Sequence, residues 1–221
     1  MPKAVIFDVD GTLIDTVDFH AEAWVRAFRH YGVEVGPDAV RRQIGKGGDQ
    51  LMPVFLPKDR VEREGEEIEA FRTELFARDY GPRIRPFPCV RALFERIRRD
   101  GKRIVLASSC KADEIGRYEK IADIADLLDG ATTSDDAERS KPHPDIFEAA
   151  LARIKPLGPG DAVAVGDTPY DAEAAGKAGL RTIGLLCGGF PEEDLKTSGC
   201  IAIYRDPEDL LANYARSPLA D

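Results

Sequence analysis

Ala4-Val5-Ile6-Phe7-Asp8-Val9-Asp10-Gly11-Thr12 is the stretch on which the reading of this chain turns. Its first four residues form a continuous apolar run, as expected of a β-strand buried on both faces. Such a strand belongs inside a parallel sheet, which needs helices against both sides. The run ends abruptly in two carboxylates two residues apart, followed by glycine. Ligand sites in open α/β sheets form outside the carboxyl ends of strands. These nine residues therefore predict both the fold class and the place where chemistry sits.

Outward from this stretch the pattern changes twice. Val17, Ala21, Trp24, Phe28 and Tyr31 step by three and four, which predicts a helix stopped by Gly32. From there to Pro88 no strand is expected. Pro37 and Asp38 open a helix reaching Ile44, the Gly45-Lys46-Gly47-Gly48 loop breaks it, and a long charged helix runs from about Asp59 to Tyr80 with Val61, Ile68, Phe71 and Leu75 on one stripe. Pro82, Pro86 and Pro88 then read as a linker. After them strand and helix alternate. Helices are expected at 90–97, from Ala112, from Pro144 and over 171–178, and strands at 103–107, 162–165 and 182–186. The chain thus reads as α/β, a Rossmann-like parallel-sheet core (residues 1–14 and 89–221) interrupted by an α-helical cap (15–88).

Composition narrows the partners. The 221 residues carry 40 acidic and 31 basic side chains, a formal net charge of −9, with 43% hydrophobic residues. Wholesale disorder is excluded, and an acidic balance argues against a nucleic-acid partner, which needs a basic face. Cys89, Cys110, Cys187 and Cys200 are widely spaced, with no metal-type or redox pair. No run approaches the ~18 apolar residues of a membrane span, and Met1-Pro2-Lys3-Ala4 leads straight into the first strand without a signal-type segment. The expectation is a soluble cytoplasmic protein with a small-molecule partner. Monomer and homodimer both stay open.

Four clusters lie at strand ends or in loops beside them: Asp8 to Thr12, Ser108-Ser109-Cys110-Lys111, Ser140-Lys141-Pro142, and Gly166-Asp167-Thr168-Pro169-Tyr170-Asp171. Asp8 is placed to attack phosphorus and form an aspartyl phosphate. Asp10 is placed to protonate the leaving oxygen and then take a proton from water. Gly11 lets backbone N–H groups approach the transferring oxygens, and Thr12 adds a hydroxyl donor. So many carboxylates repel a phosphate unless a hard cation intervenes, and clustered oxygen ligands select Mg²⁺. Asp8 and Asp167 are the expected direct ligands, with Asp171 holding a metal-bound water. Lys141 offsets phosphate charge and keeps Asp8 ionised. Ser108 donates to a phosphate oxygen, with Ser109 and Lys111 as further contacts.

Taken together and in this order, the four clusters resemble the motifs of the haloacid dehalogenase superfamily of phosphotransferases, and the likeness spans the whole chain. It implies Asp8 as nucleophile, Asp10 as general acid/base, Ser108 as the second-motif hydroxyl, Lys141 as the third-motif lysine and Asp167/Asp171 as the metal motif. It also implies the Asp10 backbone carbonyl as a metal ligand. The insert after the first motif resembles the helical cap of phosphoglycolate phosphatases and β-phosphoglucomutases.

Features inside the family point in two directions. Asp15-Thr16 followed by His20 and Trp24, together with Ala107-Ser108 and Lys111, resembles the mutases, where this histidine couples substrate binding to closure. Gly166-Asp167 is instead the phosphatase form, Cys187-Gly188-Gly189 resembles phosphatases, and the Gly45–Gly48 loop lacks the arginine with which mutases grip a second phosphate. Lys46 and Gln50 are the expected cap contacts to substrate. A 2-haloacid dehalogenase shares the fold but lacks the second aspartate, so Asp10 argues for phosphoryl chemistry. The expectation is a Mg²⁺-dependent phosphomonoester hydrolase acting on a small phosphate ester, with a sugar phosphomutase as the alternative.

Overall fold

The computed structural model describes residues 1–220, so Asp221, the last residue of the expected core, lies outside the described residues. Strands β1 (Ala4–Phe7), β2 (Arg103–Ala107), β3 (Gly130–Thr132), β4 (Ala162–Gly166), β5 (Arg181–Leu185) and β6 (Cys200–Tyr204) form one sheet. Their order is β3-β2-β1-β4-β5-β6, with every neighbouring pair parallel. The apolar run of β1 is therefore central, and all four of its residues are fully buried. β2 and β3 lie to one side of it and β4 to the other, so the winding reverses at β1, the place where such sheets open a crevice.

Alternation along the strands divides the core into two layers. Val5, Phe7, Ile104, Leu106, Val163 and Val165 face α5 (Val90–Arg99), whose Leu93, Phe94 and Ile97 are fully buried. Ala4, Ile6, Val105, Ala107, Ala162 and Ala164 face α7 (Asp145–Arg153) and α8 (Pro169–Lys177). Small alanines on the second face let those two helices approach the sheet closely. α6 (Ala112–Ile121) completes the β2–β3 connection.

Helices α1 (Val17–His30), α2 (Pro37–Arg41), α3 (Gly48–Phe55) and α4 (Lys58–Asp79) pack around a separate apolar cluster of Trp24, Phe28, Leu51, Met52 and Ile68. The chain enters and leaves this layer side by side. Ile14 bridges Pro86 antiparallel, Asp15 N–H donates to Arg85 O at 3.0 Å, and Phe87 N–H donates to Leu13 O at 2.9 Å. The proline-rich segment is thus the return crossing.

Several elements differ from the sequence expectation. α2 stops at Arg41 rather than Ile44, and α3 was unforeseen because Gly48 opens it and Pro53 lies within it. β3 has three residues only, and β6 is a half-exposed edge strand. Two short helices, α9 (Glu192–Thr197) and α10 (Pro207–Ala212), flank β6. Among the described residues no helix is long and apolar enough to cross a membrane.

Candidate active site

Parallel register brings the four clusters to one edge. Phe7 sits level with Leu106 on one side and Val165 on the other, and Asp8 N–H donates to Val165 O at 2.9 Å. Asp8, Ser108 and Asp167 therefore leave the sheet together. Asp8, Asp167 and Asp171 are all buried, and each offers a carboxylate oxygen within 4.8 Å of the others. Burial first, then the Asp171 and Asp10 charges, push Asp8 up to about 7 even with Lys141 beside it. Burial and the other two carboxylates likewise hold Asp167 well above the usual range.

Lys141 is the internal counter-charge. Its ammonium is 1% exposed, pairs with Asp8 Oδ1, lies 2.8 Å from Asp171 Oδ1 and donates to Ala107 O at 3.2 Å. Burial works against its charge, but the two carboxylates outweigh it and hold the ammonium above the usual lysine range. One cation against three buried acids leaves the cluster short of positive charge.

The donors around the acids show which oxygens remain. Asp171 Oδ2 accepts from the Thr168 hydroxyl at 2.7 Å and the Thr168 N–H at 3.0 Å. Asp167 Oδ1 accepts from Thr12 Oγ1 at 2.6 Å, while its Oδ2 is buried without any partner. A buried carboxylate oxygen is costly to leave bare. Two glycines press against it: a Cβ on Gly11 would sit 2.4 Å from that oxygen, and one on Gly188 would sit 1.7 Å away. Gly11 also has φ +82°, which disfavours a side chain. An all-oxygen anionic donor set with one bare carboxylate oxygen fits a hard divalent cation.

Asp10 faces elsewhere. Its Oδ1 accepts from Thr16 Oγ1 at 2.6 Å and lies 3.0 Å from His20 Nε2, and the Cys110 thiol donates to Oδ2 at 2.9 Å. Burial opposes its ionisation, but the His20 charge and these donors prevail and hold Asp10 below the usual carboxylate range. Burial and Asp10 itself drive the Cys110 thiol well above its ordinary value, so it stays a donor. His20 also stacks flat on Phe76 with ring centroids 4.0 Å apart, tying α1 to α4 at this point.

A cavity of about 100 Å³ opens above these groups. Ser108, Ser109, Cys110 and Lys111 line it from the core, and Lys46 in the Gly45–Gly48 loop lines it from the helical layer. The Ser108 hydroxyl accepts from Cys110 N–H at 3.1 Å and keeps its own proton to donate. Gln50 is tied to Asp49 beside it and does not line the cavity. Two cavity residues escape a reading of the sequence. Cys110 shows its role only through a partner 100 residues away, and Arg72 of α4 interrupts an otherwise apolar helix face. The second signal was visible, since residue 72 follows Ile68 by one helical turn.

Against this geometry, comparisons with known proteins agree. A family model of haloacid dehalogenase-like hydrolases matches residues 5–185. A phosphoglycolate phosphatase of Escherichia coli is 29% identical, covering 95% of this chain and 91% of its own. A phosphorylated carbohydrates phosphatase of Thermotoga maritima is 27% identical over 95% and 96% of the two chains. Among solved structures, a hydrolase from Pseudomonas syringae superposes with a TM-score of 0.87 at 26% identity, over 96% of this chain and 98% of that one. The chain belongs to the haloacid dehalogenase-like hydrolases, an enzyme family with phosphatases among its relatives.

Proposed function

We propose that this enzyme is a Mg²⁺-dependent phosphatase of small phosphate esters that works through a phosphoryl group carried on Asp8. The observation that carries the reading is the junction at the end of β1. There a buried nucleophilic carboxylate and a buried lysine line a small cavity, and two further carboxylates, one with a bare oxygen, crowd against the nucleophile. Asp8 Oδ attacks phosphorus, the bond to the leaving oxygen breaks as that oxygen takes a proton relayed by Asp10, and water, giving its proton to Asp10, then cleaves the acyl phosphate to release inorganic phosphate and restore Asp8. Asp8, Asp167, Asp171 and the Asp10 backbone carbonyl would hold the Mg²⁺, which neutralises charge on the phosphate when bound. Lys141 offsets charge from behind Asp8 and Ser108 supplies a hydroxyl donor, whereas the Thr12 hydroxyl, expected to serve the phosphate, is spent on Asp167 Oδ1.

Residues 15–88 act in this reading as a cap over the core of 1–14 and 89–221, excluding bulk water when closed. Hydrogen bonds between the two segments support it. Ser140 N–H donates to Asp49 Oδ2 at 3.1 Å, and the Tyr170 hydroxyl donates to Arg42 O at 2.6 Å.

Asp10 is held ionised by its donors, which suits it to take the proton from the attacking water. Asp10→Asn should lower turnover by roughly 10²- to 10⁴-fold, the scale of lost acid–base catalysis. With p-nitrophenyl phosphate, whose leaving group needs no proton, the variant should release a burst near one equivalent of nitrophenolate as phospho-Asp8 accumulates. Rapid-quench kinetics read the burst, and near-normal steady-state turnover would refute the role.

The His20–Asp10 contact favours one competing reading, a sugar phosphomutase, because it ties the acid/base to a residue of the closing layer. A structure from Bacteroides vulgatus named for β-phosphoglucomutase shares the fold at TM-score 0.85 and 22% identity. The deciding assay supplies β-glucose 1-phosphate, Mg²⁺ and a trace of glucose 1,6-bisphosphate. Net inorganic phosphate is expected, and glucose 6-phosphate appearing faster than phosphate would establish the mutase instead.

A further inference from the structure

Tyr170 sits in the loop between Asp167 and Asp171, yet its side chain is tied to the helical layer. Its hydroxyl donates to Arg42 O at 2.6 Å, and the Lys46 ammonium lies over its ring, 4.6 Å from the ring centre. Phe190, from the loop after β5, meets the same ring edge-on with centroids 5.9 Å apart and braces it from the core. Beside it the Gly45 backbone packs on Thr168, where a Cβ at residue 45 would stand 2.7 Å from Thr168 Cγ2. Thr168 in turn supplies both donors to Asp171 Oδ2, at 2.7 Å and 3.0 Å. The same segment seats on the core a second time. A Cβ on Gly47 would overlap the Ser140 hydroxyl, and Asp49 Oδ2 accepts from Ser140 N–H at 3.1 Å.

Thr168 keeps Asp171 aimed at the acid cluster. With Oδ2 held by Thr168, Oδ1 stays 2.8 Å from Lys141, against the repulsion of two nearby carboxylates. The Gly45 backbone against the threonine methyl leaves that side chain no room to turn. Once the loop lifts away, Thr168 is free to rotate and Asp171 to swing out of the cluster. Resting on the Mg²⁺ and cap assignments above, we infer that Tyr170 is a positioning residue that couples seating of the cap to binding of the metal. Seated on Thr168 and Tyr170, the cap loop pre-forms the Asp171 side of the cation site, so the seated state binds Mg²⁺ more tightly. Linkage makes the effect mutual, and Mg²⁺ favours the seated cap by the same factor. The enzyme thereby closes over a loaded site in preference to an empty one. Lys46 gains a role other than the expected substrate contact. Bonded to Gln43 Oε1 at 2.6 Å and resting on Tyr170, its ammonium fastens the loop to the core.

Calorimetry of Mg²⁺ binding to the full chain, without substrate, tests one direction. Y170F removes only the hydroxyl bonded to Arg42 O and should weaken Mg²⁺ by about two- to fivefold, the most that losing one net hydrogen bond of seating can transmit. D49A removes the other seat on an exposed side chain that touches none of the proposed metal ligands, and it should weaken Mg²⁺ by a similar factor. The double variant should approach the whole coupling, about tenfold. Amide hydrogen exchange at Ser140 tests the reverse direction, because the cap holds that N–H only while seated. Mg²⁺ should slow this exchange several-fold in the wild type, and Y170F should speed it in the metal-free protein. Wild-type Mg²⁺ affinity in the double variant, a loss confined to Y170F, or Ser140 exchange indifferent to Mg²⁺ would each overturn the inference. None of these readouts uses turnover. Intact coupling without phosphate release from p-nitrophenyl phosphate would overturn the phosphatase reading alone, and no Mg²⁺ binding by the wild type would overturn both.

Discussion

Asp8→Asn should abolish turnover while leaving the fold in place, with kcat falling by at least about 10⁴-fold, the scale seen when a covalent nucleophile is removed. The amide has nearly the shape of the carboxylate but cannot attack phosphorus to give an acyl phosphate. Folding should survive for an electrostatic reason. Asp8 is one of three buried acids sharing one lysine, and neutralising it relieves repulsion with Asp167 and Asp171. Lys141 keeps Asp171 at 2.8 Å and the Ala107 carbonyl at 3.2 Å, so it is not stranded. Circular dichroism and a melting curve check the fold, and phosphate release checks the chemistry. Mass spectrometry of acid-quenched wild type should add one phosphoryl group, absent from the variant. Residual activity within about tenfold of wild type would rule out the covalent route.

Lys141→Met separates the two duties of the lysine. It would leave Asp8 and Asp171 without their shared cation, and breaking a buried pair from one side typically costs about 3–5 kcal/mol. A drop in both melting temperature and turnover is expected, in contrast to the clean loss of turnover in Asp8→Asn.

Much of this site was legible because it is written at strand ends. An apolar run broken by Asp8 and another broken by Asp167 announce both the sheet and its functional edge, and register does the rest by setting Phe7 level with Leu106 and Val165. Contacts spanning the chain were beyond reach. Nothing near Cys110 says that its thiol meets Asp10, and Lys46 stands out as a loop cation although its ammonium is held by Gln43, whereas Arg72 is the one with a buried Nε left without a hydrogen-bond partner. Patterns of residue type locate elements, but they do not tell which of two cations is already paired. The missed elements have the same character. α3 forms despite Gly48 and Pro53 because Leu51 and Met52 bury themselves in the helical layer, a tertiary gain that outweighs poor propensity. β6 was hidden by its edge position, where only one side has a strand partner.

Removing divalent metal should be as severe as removing Asp8, and the protein's stability should report it independently of activity. Chelation with EDTA should abolish phosphate release and Mg²⁺ should restore it, whereas Ca²⁺ should bind but support little turnover because its larger, looser shell spoils in-line alignment. In the metal-free protein three carboxylates crowd within 4.8 Å, and Asp167 Oδ2 has no partner. At 100 times its dissociation constant a ligand contributes about 2.7 kcal/mol, which for a chain of this size raises Tm by roughly 5–10 °C. The sign of the pH dependence follows from the acids. Asp8 moves from an ordinary 3.8 to about 7 in the folded, metal-free protein, and Asp167 moves in the same direction. Folding therefore favours their protonated forms. That contribution is fully present below about pH 4 and is lost as pH rises through 7. Protons and Mg²⁺ compete for the same oxygens, so the Mg²⁺-induced rise in Tm should be larger at pH 8 than at pH 5. Asp167→Asn should raise the metal-free Tm, because it removes one repelling charge, and should erase both the Mg²⁺-induced rise and the activity. A Tm response to Mg²⁺ that persists in Asp167→Asn would place the metal elsewhere.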